Sequence, residues 1–329
     1  VRFAFLTGVS KFSKAGIFSG LNNLNDITVD ARYSAICGYT ETDLDAVFAP
    51  ELPGLDREEI RRWYNGYNWL GEAVYNPFDV LLLFSKRQFA PYWFESGTPT
   101  FLVKLLMERK TFVPTLATLQ VDSSVLSAFD VEHISTEALM WQTGYLTFAG
   151  GENLGGEIFY RLAYPNREVY LSVHKSLARA LLGDVSLESN LRRTLWHVLK
   201  SRDADMWRSH FQSLFAAIPH DWHRKNEIAR YEGYYASVFY SHFAALGLDI
   251  RLEDATSMGR IDMAVLFDDA VFIFEFKVVE DCPEGRALEQ IKSKKYADKY
   301  RALGQTIHLI GIEFSRQTRS VSGFGVETA

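Results

Sequence analysis

The sequence predicts an α/β protein with more than one compact unit. The chain has 329 residues, which exceeds the usual size of a single domain. Hydrophobic residues make up 47% and charged residues 23%, the balance of a globular chain and not of a disordered or fibrous one. Both ends of the chain combine β-rich apolar runs with helical segments. These observations favour sheets flanked by helices.

The composition excludes several other classes of protein. No run of about 18 uninterrupted apolar residues occurs, so we expect no membrane-spanning helix. Cys37 and Cys282 are the only cysteines and no signal peptide is visible, which predicts a reducing cytoplasm and neither disulfides nor a cysteine zinc site. The net charge of −6 argues against attraction of nucleic acid to the whole surface, although a local basic patch could still bind it.

The first predicted domain, residues 1–107, begins with the apolar run VRFAFLTG, which is typical of a buried strand. Because the first residue is Val1 within this run, we expect the chain to be a fragment that starts inside a domain. Asp56 stands three residues before Glu59, which predicts a helix that begins with a capping box. Pro77 predicts the start of another helix. Strand, loop and helix in this order indicate an α/β unit.

The second predicted domain, residues 108–223, is winged-helix-like and then helical. The helical stretch TEALMWQTG precedes two predicted strands, YLTFAGG and IFYRLAYPN, and a second helix. A helix followed by a hairpin is typical of a winged-helix module. The hairpin tip GGENLGGE carries acidic residues and no Lys or Arg, so a linker that packs two larger units is an equally good interpretation.

The third predicted domain, residues 224–329, has the order helix, three strands, helix, strand. A mixed sheet flanked by helices accommodates this order. Its most informative stretch is GRIDMAVLFDDAVFIFEFKV, residues 259–278, in which two apolar β-rich runs flank Asp268 and Asp269. Two such residues between two strands predict a tight hairpin turn.

The hairpin register brings three charged residues to one face. If Asp268 and Asp269 form the turn, Phe267 pairs with Ala270 and Asp262 lies opposite Glu275. Directly opposed residues have Cβ atoms about 4.5 to 5.5 Å apart. Lys277, two residues beyond Glu275, shares its face.

A divalent cation is the simplest reason for two carboxylates at this position. A salt-bridged cluster on a solvated sheet face is the alternative explanation. The flanking residues, however, are mostly Phe, Ile and Val, and burying charge among them is costly without a compensating partner. Oxygen ligands in small number suit Mg²⁺, which also accepts water and phosphate oxygens. The sequence therefore predicts a magnesium site at Asp262 and Glu275.

Asp262, a gap of 12 residues and Glu275-Phe276-Lys277 together resemble the signature of the PD-(D/E)XK nuclease superfamily. Glu232, on a predicted helix upstream, and Gln290, on a predicted helix downstream, match two further features of that superfamily. The resemblance implies that Asp262 and Glu275 bind Mg²⁺, or Mn²⁺ in its place, and that Lys277 positions the attacking water. It also implies that Glu232 is an outer or second-metal ligand and that Gln290 contacts the site or a phosphate.

A basic helix follows the predicted site. Residues 285–303 contain six basic and two acidic residues, a local charge of +4. Phosphate-backbone binding requires such a surface, although a solvated helix face would have the same composition. The candidate nucleic-acid-binding residues are Arg260, Lys292, Lys294, Lys295 and Lys299.

Residues 1–107 resemble the later part of an AAA-ATPase-like domain that accompanies this nuclease in a bacterial family. The resemblance rests on FLTGVSKFS, LNNLNDIT, WYNGY and YNPFDVL. The chain contains no G-x-x-x-x-G-K-[ST] phosphate-binding loop, so we do not expect it to bind ATP.

The sequence as a whole predicts a Mg²⁺-dependent nuclease that hydrolyses phosphodiester bonds of nucleic acid, DNA before RNA. Two alternatives remain: a non-catalytic scaffold that binds nucleic acid or protein, and an ATP-driven switch in which the nuclease is secondary. No pair of histidines has the spacing of metal ligands. His308, within the apolar run TIHLIGIEF, is predicted to fill the core.

Overall fold

The computed structural model describes residues 25–96, 100–109, 113–117, 119–123, 134–218, 232–256, 258–318 and 320–329, together with residues 3, 5, 7, 8 and 111. Residues 1, 2, 4 and 6 of VRFAFLTG lie outside the described residues, so the strand predicted for this run stays a prediction. The chain divides into two compact units. The N-terminal unit comprises Val1–Arg109 and Thr115–Ser172, and the C-terminal unit comprises Lys110–Pro114 and Val173–Ala329.

The N-terminal unit combines short helices with a small antiparallel sheet. Its helices are α1 (Glu41–Ala46), α2 (Arg57–Tyr64), α3 (Pro77–Lys86), α4 (Tyr92–Ser96), α5 (Thr100–Glu108) and α6 (Thr136–Gln142). Its strands, β1 (Leu119–Asp122), β2 (Thr147–Leu154) and β3 (Glu157–Ala163), lie in the order β1-β3-β2. The apolar side chains of α1, α2 and α3 pack into one cluster around the buried Tyr64 and Tyr75.

Two helices of this unit begin where the sequence predicts, and a capping side chain fixes each start. Asn76 accepts a hydrogen bond from the Phe78 amide at 3.0 Å, and Pro77 opens α3 as predicted. Asp56 caps α2 by accepting from the amides of its second and third residues. The reciprocal half of the predicted capping box is absent, because the Glu59 carboxylate accepts from the indole of Trp63 at 2.7 Å.

The predicted order of the middle region is confirmed. Helix α6, the hairpin β2-β3 and helix α7 (Arg167–Leu182) follow one another, and β1 adds a third strand that we did not predict. The compact units divide this region differently from the predicted domains 108–223 and 224–329. The hairpin belongs to the N-terminal unit, whereas helices α8 (Val185–Ser201) and α9 (Ala204–Ala216) belong to the C-terminal unit.

The C-terminal unit contains one mixed sheet of five strands. Its elements after α9 are α10 (Glu232–Ala244), β4 (Asp249–Thr256), β5 (Gly259–Phe267), β6 (Ala270–Val279), α11 (Arg286–Ser293), β7 (Thr306–Ser315) and β8 (Val321–Thr328). The strands lie in sequence order, and β6 and β7, which α11 connects, form the parallel pair. The other neighbours are antiparallel. The sheet flanked by helices agrees with the predicted fold class, and β8 is an additional strand.

The two faces of this sheet bury different side chains. On one face, Trp207 and Phe211 of α9 pack against Phe272 and Phe274 of β6. His308 stacks on Phe272 with ring centroids 5.0 Å apart, so it lies in the core as predicted. On the other face, Ile291 of α11 joins a cluster that includes the buried Ile273 and Leu309. None of the helices in the described part of the chain is both long and apolar enough to cross a membrane.

Helix α11 lies unusually close to the sheet because Gly311 has no side chain. A Cβ atom at Gly311 would lie 2.7 Å from Cα of Leu288 and closer still to its backbone nitrogen. At Gly325, the partner of Gly311 on β8, an added Cβ would come closest to a terminal methyl group of Leu288, at 3.0 Å, and would meet no backbone atom among its three nearest neighbours. The glycine on β7 therefore sets the distance between helix and sheet.

Gly311→Ala should destabilise the C-terminal unit by about 3 kcal/mol, the upper end of the cost of overpacking, because the added methyl group meets helix backbone. Gly325→Ala is the matched control and should cost less than about 1 kcal/mol, since a flexible side chain can give way. Urea unfolding of both variants measures the two changes. Equal destabilisation would mean that the approach of α11 to β7 is not the limiting contact.

Candidate active site

The predicted hairpin register is confirmed between β5 and β6. Phe267 pairs with Ala270, and the ladder continues to Met263 opposite Phe274. The two turn residues are Asp268, which has a positive φ of 53°, and Asp269. Asp262 is the next residue along β5 after the last pair of this ladder, as the register requires for a residue opposite Glu275.

Asp262 is attached to β6 through its side chain. Its Oδ2 atom accepts a hydrogen bond from the backbone amide of Phe276 at 2.9 Å. The carboxylate thus replaces the next backbone contact of the ladder and is held beside Glu275. Asp262 is half-buried, so this position combines strand geometry with access from one side.

Glu275 is the centre of the cluster. It is fully buried, at 0% exposure, in a strand whose neighbours are almost all apolar. The ammonium of Lys277 lies 3.1 Å from its Oε1 atom, and the side-chain amide of Gln290 donates a hydrogen bond to the same oxygen. A buried carboxylate requires such compensation, because an uncompensated charge would be expensive in this environment.

These contacts bring four of the predicted residues together: Asp262, Glu275, Lys277 and Gln290. Glu275 and Lys277 alternate with the phenylalanines that face α9, so they point to the side of the sheet that α11 covers. Gln290 reaches Glu275 from α11. Close approach at Gly311, which pairs with Glu275 in the parallel register, brings that helix within reach.

Glu232 is the first residue of α10, in agreement with the predicted upstream helix. Its side chain lies outside the described residues. Among the side chains that the structure does describe, no group of three or more His, Cys, Asp or Glu residues is arranged to hold a metal ion. Among the described side chains, Asp262 and Glu275 could hold a cation, which fits Mg²⁺ because that ion is usually held by one or two carboxylates plus water and substrate oxygens.

The candidate basic residues have different surroundings. Lys299 contacts the Asp254 carboxylate and donates to the Ala255 carbonyl at 2.7 Å, and Lys292 lies 2.9 Å from the Glu327 carboxylate. Lys294 and Lys295 follow α11 directly and are exposed. Arg260 is exposed at the start of β5, two residues before Asp262 and therefore on the same strand face.

Two residues that the sequence reasoning missed support the cluster. Glu313 is buried next to Lys277 in the parallel register, and its carboxylate accepts from the amides of Gly285 at 3.0 Å and Ala287 at 3.3 Å. It therefore caps the N-terminus of α11, which carries Gln290. Tyr296 is the second residue, and its hydroxyl interacts electrostatically with the side chains of the cluster.

Comparison with known proteins agrees with this geometry. Residues 230–323 match the model of the PD-(D/E)XK nuclease superfamily. A curated relative, "Uncharacterized protein in vnfD 5'region" of Azotobacter chroococcum mcd 1, is 64% identical over 328 residues, covering 100% of this chain and 64% of that protein. The chain thus spans about two thirds of the length of that relative. No solved structure matches the chain.

The C-terminal unit therefore contains a PD-(D/E)XK nuclease superfamily domain at residues 230–323. Proteins of this superfamily are in general metal-dependent nucleases that use Mg²⁺ or Mn²⁺. The match begins after the predicted ATPase-like region, so the resemblance of residues 1–107 gains no support from it.

Proposed function

We propose that the chain is a Mg²⁺-dependent nuclease that hydrolyses phosphodiester bonds of DNA, with its active centre on the α11 side of the sheet. The observation that carries this proposal is the convergence of Asp262, Lys277 and Gln290 on the buried carboxylate of Glu275. These residues lie on adjacent strands and the crossover helix of the superfamily domain. Apolar strands rarely contain such a set unless chemistry requires it.

Asp262 and Glu275 would hold the metal, with Glu232 as a further ligand from α10. When bound, the cation would polarise the scissile phosphate and lower the pKa of a bound water. Asp262 is already fixed by the Phe276 amide, and Glu275 is oriented by Gln290, so little reorganisation is needed for binding. Mn²⁺ would be accepted by the same oxygen ligands.

Lys277 has two tasks in this proposal. Its ammonium balances the charge of Glu275, and its side chain, 26% exposed, can reach a water at the edge of the site. A cation in this position orients the attacking water and stabilises the charge that develops on the phosphate. Arg260, Lys292, Lys294, Lys295 and Lys299 would bind the phosphates that flank the cleaved bond.

One observation favours a non-catalytic nucleic-acid or protein scaffold as the second candidate. Lys277 and Gln290 already satisfy one oxygen of Glu275 without a metal, as they would in a cluster that only stabilises the fold. The ATPase-like relationship of residues 1–107 also remains a proposal, and with it the activity of a longer protein that would carry a phosphate-binding loop.

A cleavage assay with a matched pair of lysine variants separates nuclease from scaffold. Wild-type protein should cleave DNA with Mg²⁺ or Mn²⁺ and not with EDTA, and Lys277→Ala should lower the rate at least about 100-fold, as removal of one transition-state donor does. Lys200→Ala is the control: Lys200 also contacts this hairpin, but at Asp268 in the turn, roughly 20 Å along the strands from Glu275. It should cleave normally.

The substrate arms use supercoiled, linear double-stranded and single-stranded DNA, and RNA of the same sequences. Folding of each variant is checked by circular dichroism before the assay. If folded wild-type protein cleaves none of these substrates with either metal, the scaffold becomes the better account. Cleavage of RNA alone would keep the nuclease and correct the substrate.

A further inference from the structure

We infer that Glu313 is a positioning residue of the candidate active site: from strand β7 it fixes the start of helix α11, and with it the point on the sheet where Gln290 meets Glu275. The inference rests on the proposed function, which it deepens by adding a residue to the active centre. It is carried by three hydrogen bonds of the Glu313 carboxylate, by the lack of a local cap on α11 and by the register of β6 and β7.

The carboxylate of Glu313 is buried and bound entirely by main-chain groups at one end of α11. The residue is 2% exposed, and the residues on either side of it along β7 are fully buried. Its carboxylate accepts hydrogen bonds from the amides of Glu284 at 2.5 Å, Gly285 at 3.0 Å and Ala287 at 3.3 Å. Both oxygens therefore have partners, which a carboxylate in an apolar strand requires.

Helix α11 has no cap of its own. Gly285 occupies the N-cap position with a φ of 74°, and without a side chain it forms no capping hydrogen bond. The first amides of a helix have no partner within the helix, and those of Gly285 and Ala287 are among them. Glu313 supplies the acceptor that Ser or Asp at the N-cap would otherwise supply. A local cap would move with the helix, whereas a cap from β7 ties the helix to one point on the sheet.

That point lies beside the proposed catalytic residues. In the parallel register, Gly311 is the partner of Glu275, and Glu313 is the partner of Lys277. The two β7 residues are two positions apart and share a strand face. Gly311 lets the helix backbone approach the sheet, and Glu313 sets the position of the helix along it. One strand thus fixes both the height and the axial position of α11.

The axial position of α11 decides whether Gln290 reaches Glu275. Gln290 lies three residues after Ala287, so it is within one helical turn of the cap, and its side-chain amide donates to the Glu275 carboxylate. A slip of the helix by one residue would move this amide by about 1.5 Å, which is enough to break a hydrogen bond. The carboxylate of Glu275 would then be less firmly oriented. Groups that orient a metal ligand usually change metal affinity about 10- to 100-fold when removed.

The chain offers a matched control on the same strand face. Ser315, two residues beyond Glu313, is fully buried, and its hydroxyl accepts from the Thr318 amide at 3.0 Å and donates to the Glu280 carbonyl at 3.5 Å. Glu313→Gln replaces one acceptor oxygen by an NH₂ group, which cannot accept from a backbone amide. Ser315→Ala also removes a buried acceptor of a backbone amide, but this amide lies outside α11.

Glu313→Gln should lower kcat for DNA cleavage about tenfold with KM for DNA unchanged, and Ser315→Ala should leave both unchanged. Gln290→Ala should lower kcat at least as far. The double variant Glu313→Gln/Gln290→Ala should be no slower than Gln290→Ala alone, because the cap acts through the position of Gln290. Additive losses, or a wild-type kcat in Glu313→Gln, would overturn the inference.

A second readout keeps this test independent of cleavage. Mn²⁺ binding, measured by electron paramagnetic resonance of the free ion, should weaken about 10-fold in Glu313→Gln and not in Ser315→Ala. If wild-type protein binds Mn²⁺ and cleaves nothing, the proposed function fails while the binding constants still decide the role of Glu313. If wild type binds no Mn²⁺, or if Glu313→Gln binds it as tightly as wild type, the inference is wrong whatever the cleavage assay gives.

Hydrogen exchange of the wild-type protein tests the cap itself, even if Glu313→Gln does not fold. Read at single residues, the amides of Gly285 and Ala287 should be protected, although amides at these helix positions have no intrahelical partner. If both exchange at the rate of unbonded amides, Glu313 does not hold the start of α11 and the inference is wrong.

Discussion

Glu275→Gln should abolish Mg²⁺-dependent cleavage, with a loss of at least about 1,000-fold, and leave DNA binding as strong as in the wild type or stronger. The substitution keeps the shape of the side chain and one oxygen for Gln290 and Lys277, so the fold should survive. It removes the charge that would hold the metal in the proposed function, and with it the Lewis acid and the activated water that the metal would supply. Binding should not weaken, because a negative charge near the phosphate has been removed.

Substitution of the basic residues after α11 should have the opposite effect: DNA binding should weaken while cleavage persists. Lys294→Ala/Lys295→Ala should weaken DNA binding and flatten its salt dependence by up to about two charges, while cleavage at saturating DNA persists. Lys292→Ala/Lys299→Ala is the matched pair, since these two lysines already contact Glu327 and Asp254 and should contribute less to binding.

Fluorescence anisotropy with labelled DNA at several salt concentrations gives the binding slopes, and single-turnover cleavage gives the chemistry. If Glu275→Gln cleaved DNA at the wild-type rate, the assigned active centre would be wrong. If both lysine pairs changed binding equally, the ion pairs to Glu327 and Asp254 would not restrict Lys292 and Lys299.

The hairpin was predictable because its information is local. Asp268-Asp269 between two apolar runs fixes the turn, the turn fixes the register, and a period of two residues then fixes which side chains share a face. Asp262, Glu275 and Lys277 converge for that reason alone. The starts of α2 and α3 were predictable on the same local grounds, from Asp56 and Pro77.

Strand β8 was not predictable from its own residues. Its sequence, VSGFGVET, contains glycines and a serine that are typical of loops. It forms a strand because β7 supplies hydrogen bonds and because helix α11 leaves room only for small residues at Gly311 and Gly325. Strand β8 forms because segments that are distant in the chain pair and pack closely, and these contacts cannot be predicted from a single sequence.

The supporting residues of the site were missed for a similar reason. Tyr296 reaches a cluster whose members are 6 to 34 residues away in the chain, through space opened by Gly259. Glu313 stands in the apolar run TIHLIGIEF, and its partners are backbone amides of residues 284, 285 and 287. Side-chain spacing predicts neither contact. The compact units also depend on long-range packing, because Trp207 of α9 contacts Phe272 of the sheet.

A pair of buried acids should make the stability of the N-terminal unit fall as pH rises. Asp79 of α3 and Glu168 of α7 are both fully buried, each has one carboxylate oxygen without a hydrogen-bond partner among the described groups, and the charge of Asp79 acts on Glu168. Asp79 accepts from the Trp93 amide at 2.7 Å and Glu168 from the Phe94 amide at 3.1 Å, so α4 is bound to both. Two neighbouring buried carboxyl groups without a compensating cation do not both ionise at neutral pH, so one of them retains a proton.

The sign of the effect follows from the direction of both shifts. Burial, reinforced by Asp79, raises the pKa of Glu168 to about 10, and burial raises the pKa of Asp79 to about 6. The folded unit therefore retains a proton that the unfolded chain releases above its ordinary glutamate pKa of about 4.3. The stability that this pair contributes is complete below that value and is lost as pH rises toward 10; above pH 6, where only the proton of Glu168 remains, the loss is at most about 1.4 kcal/mol per pH unit.

Glu168→Gln should remove this dependence and stabilise the N-terminal unit at pH 8, because the amide donates to Asp79 without having to bind a proton. Glu41→Gln is the control within the same unit. Burial alone would raise the pKa of Glu41, but the hydrogen bonds from Arg61 and Tyr75, with the charge of Arg57, outweigh it and lower that pKa. The stabilisation by ionised Glu41 is complete above the pKa of a glutamate in the unfolded chain. Glu41→Gln should therefore destabilise the unit at pH 8 without changing the slope of stability against pH from 6 to 9.

Urea-dependent hydrogen exchange, read by mass spectrometry on peptides from α3, α4 and the start of α7, reports this unit separately from the nuclease domain. Exchange rates are corrected for intrinsic pH dependence, and the free energy of opening is compared from pH 6 to 9. Wild-type protein should lose stability across this range and Glu168→Gln should not. If the free energy of opening of the wild-type unit stayed constant or rose with pH, the two carboxylates would be separately solvated or ion-paired in solution. The hypothesis that the pair retains a proton would then be wrong.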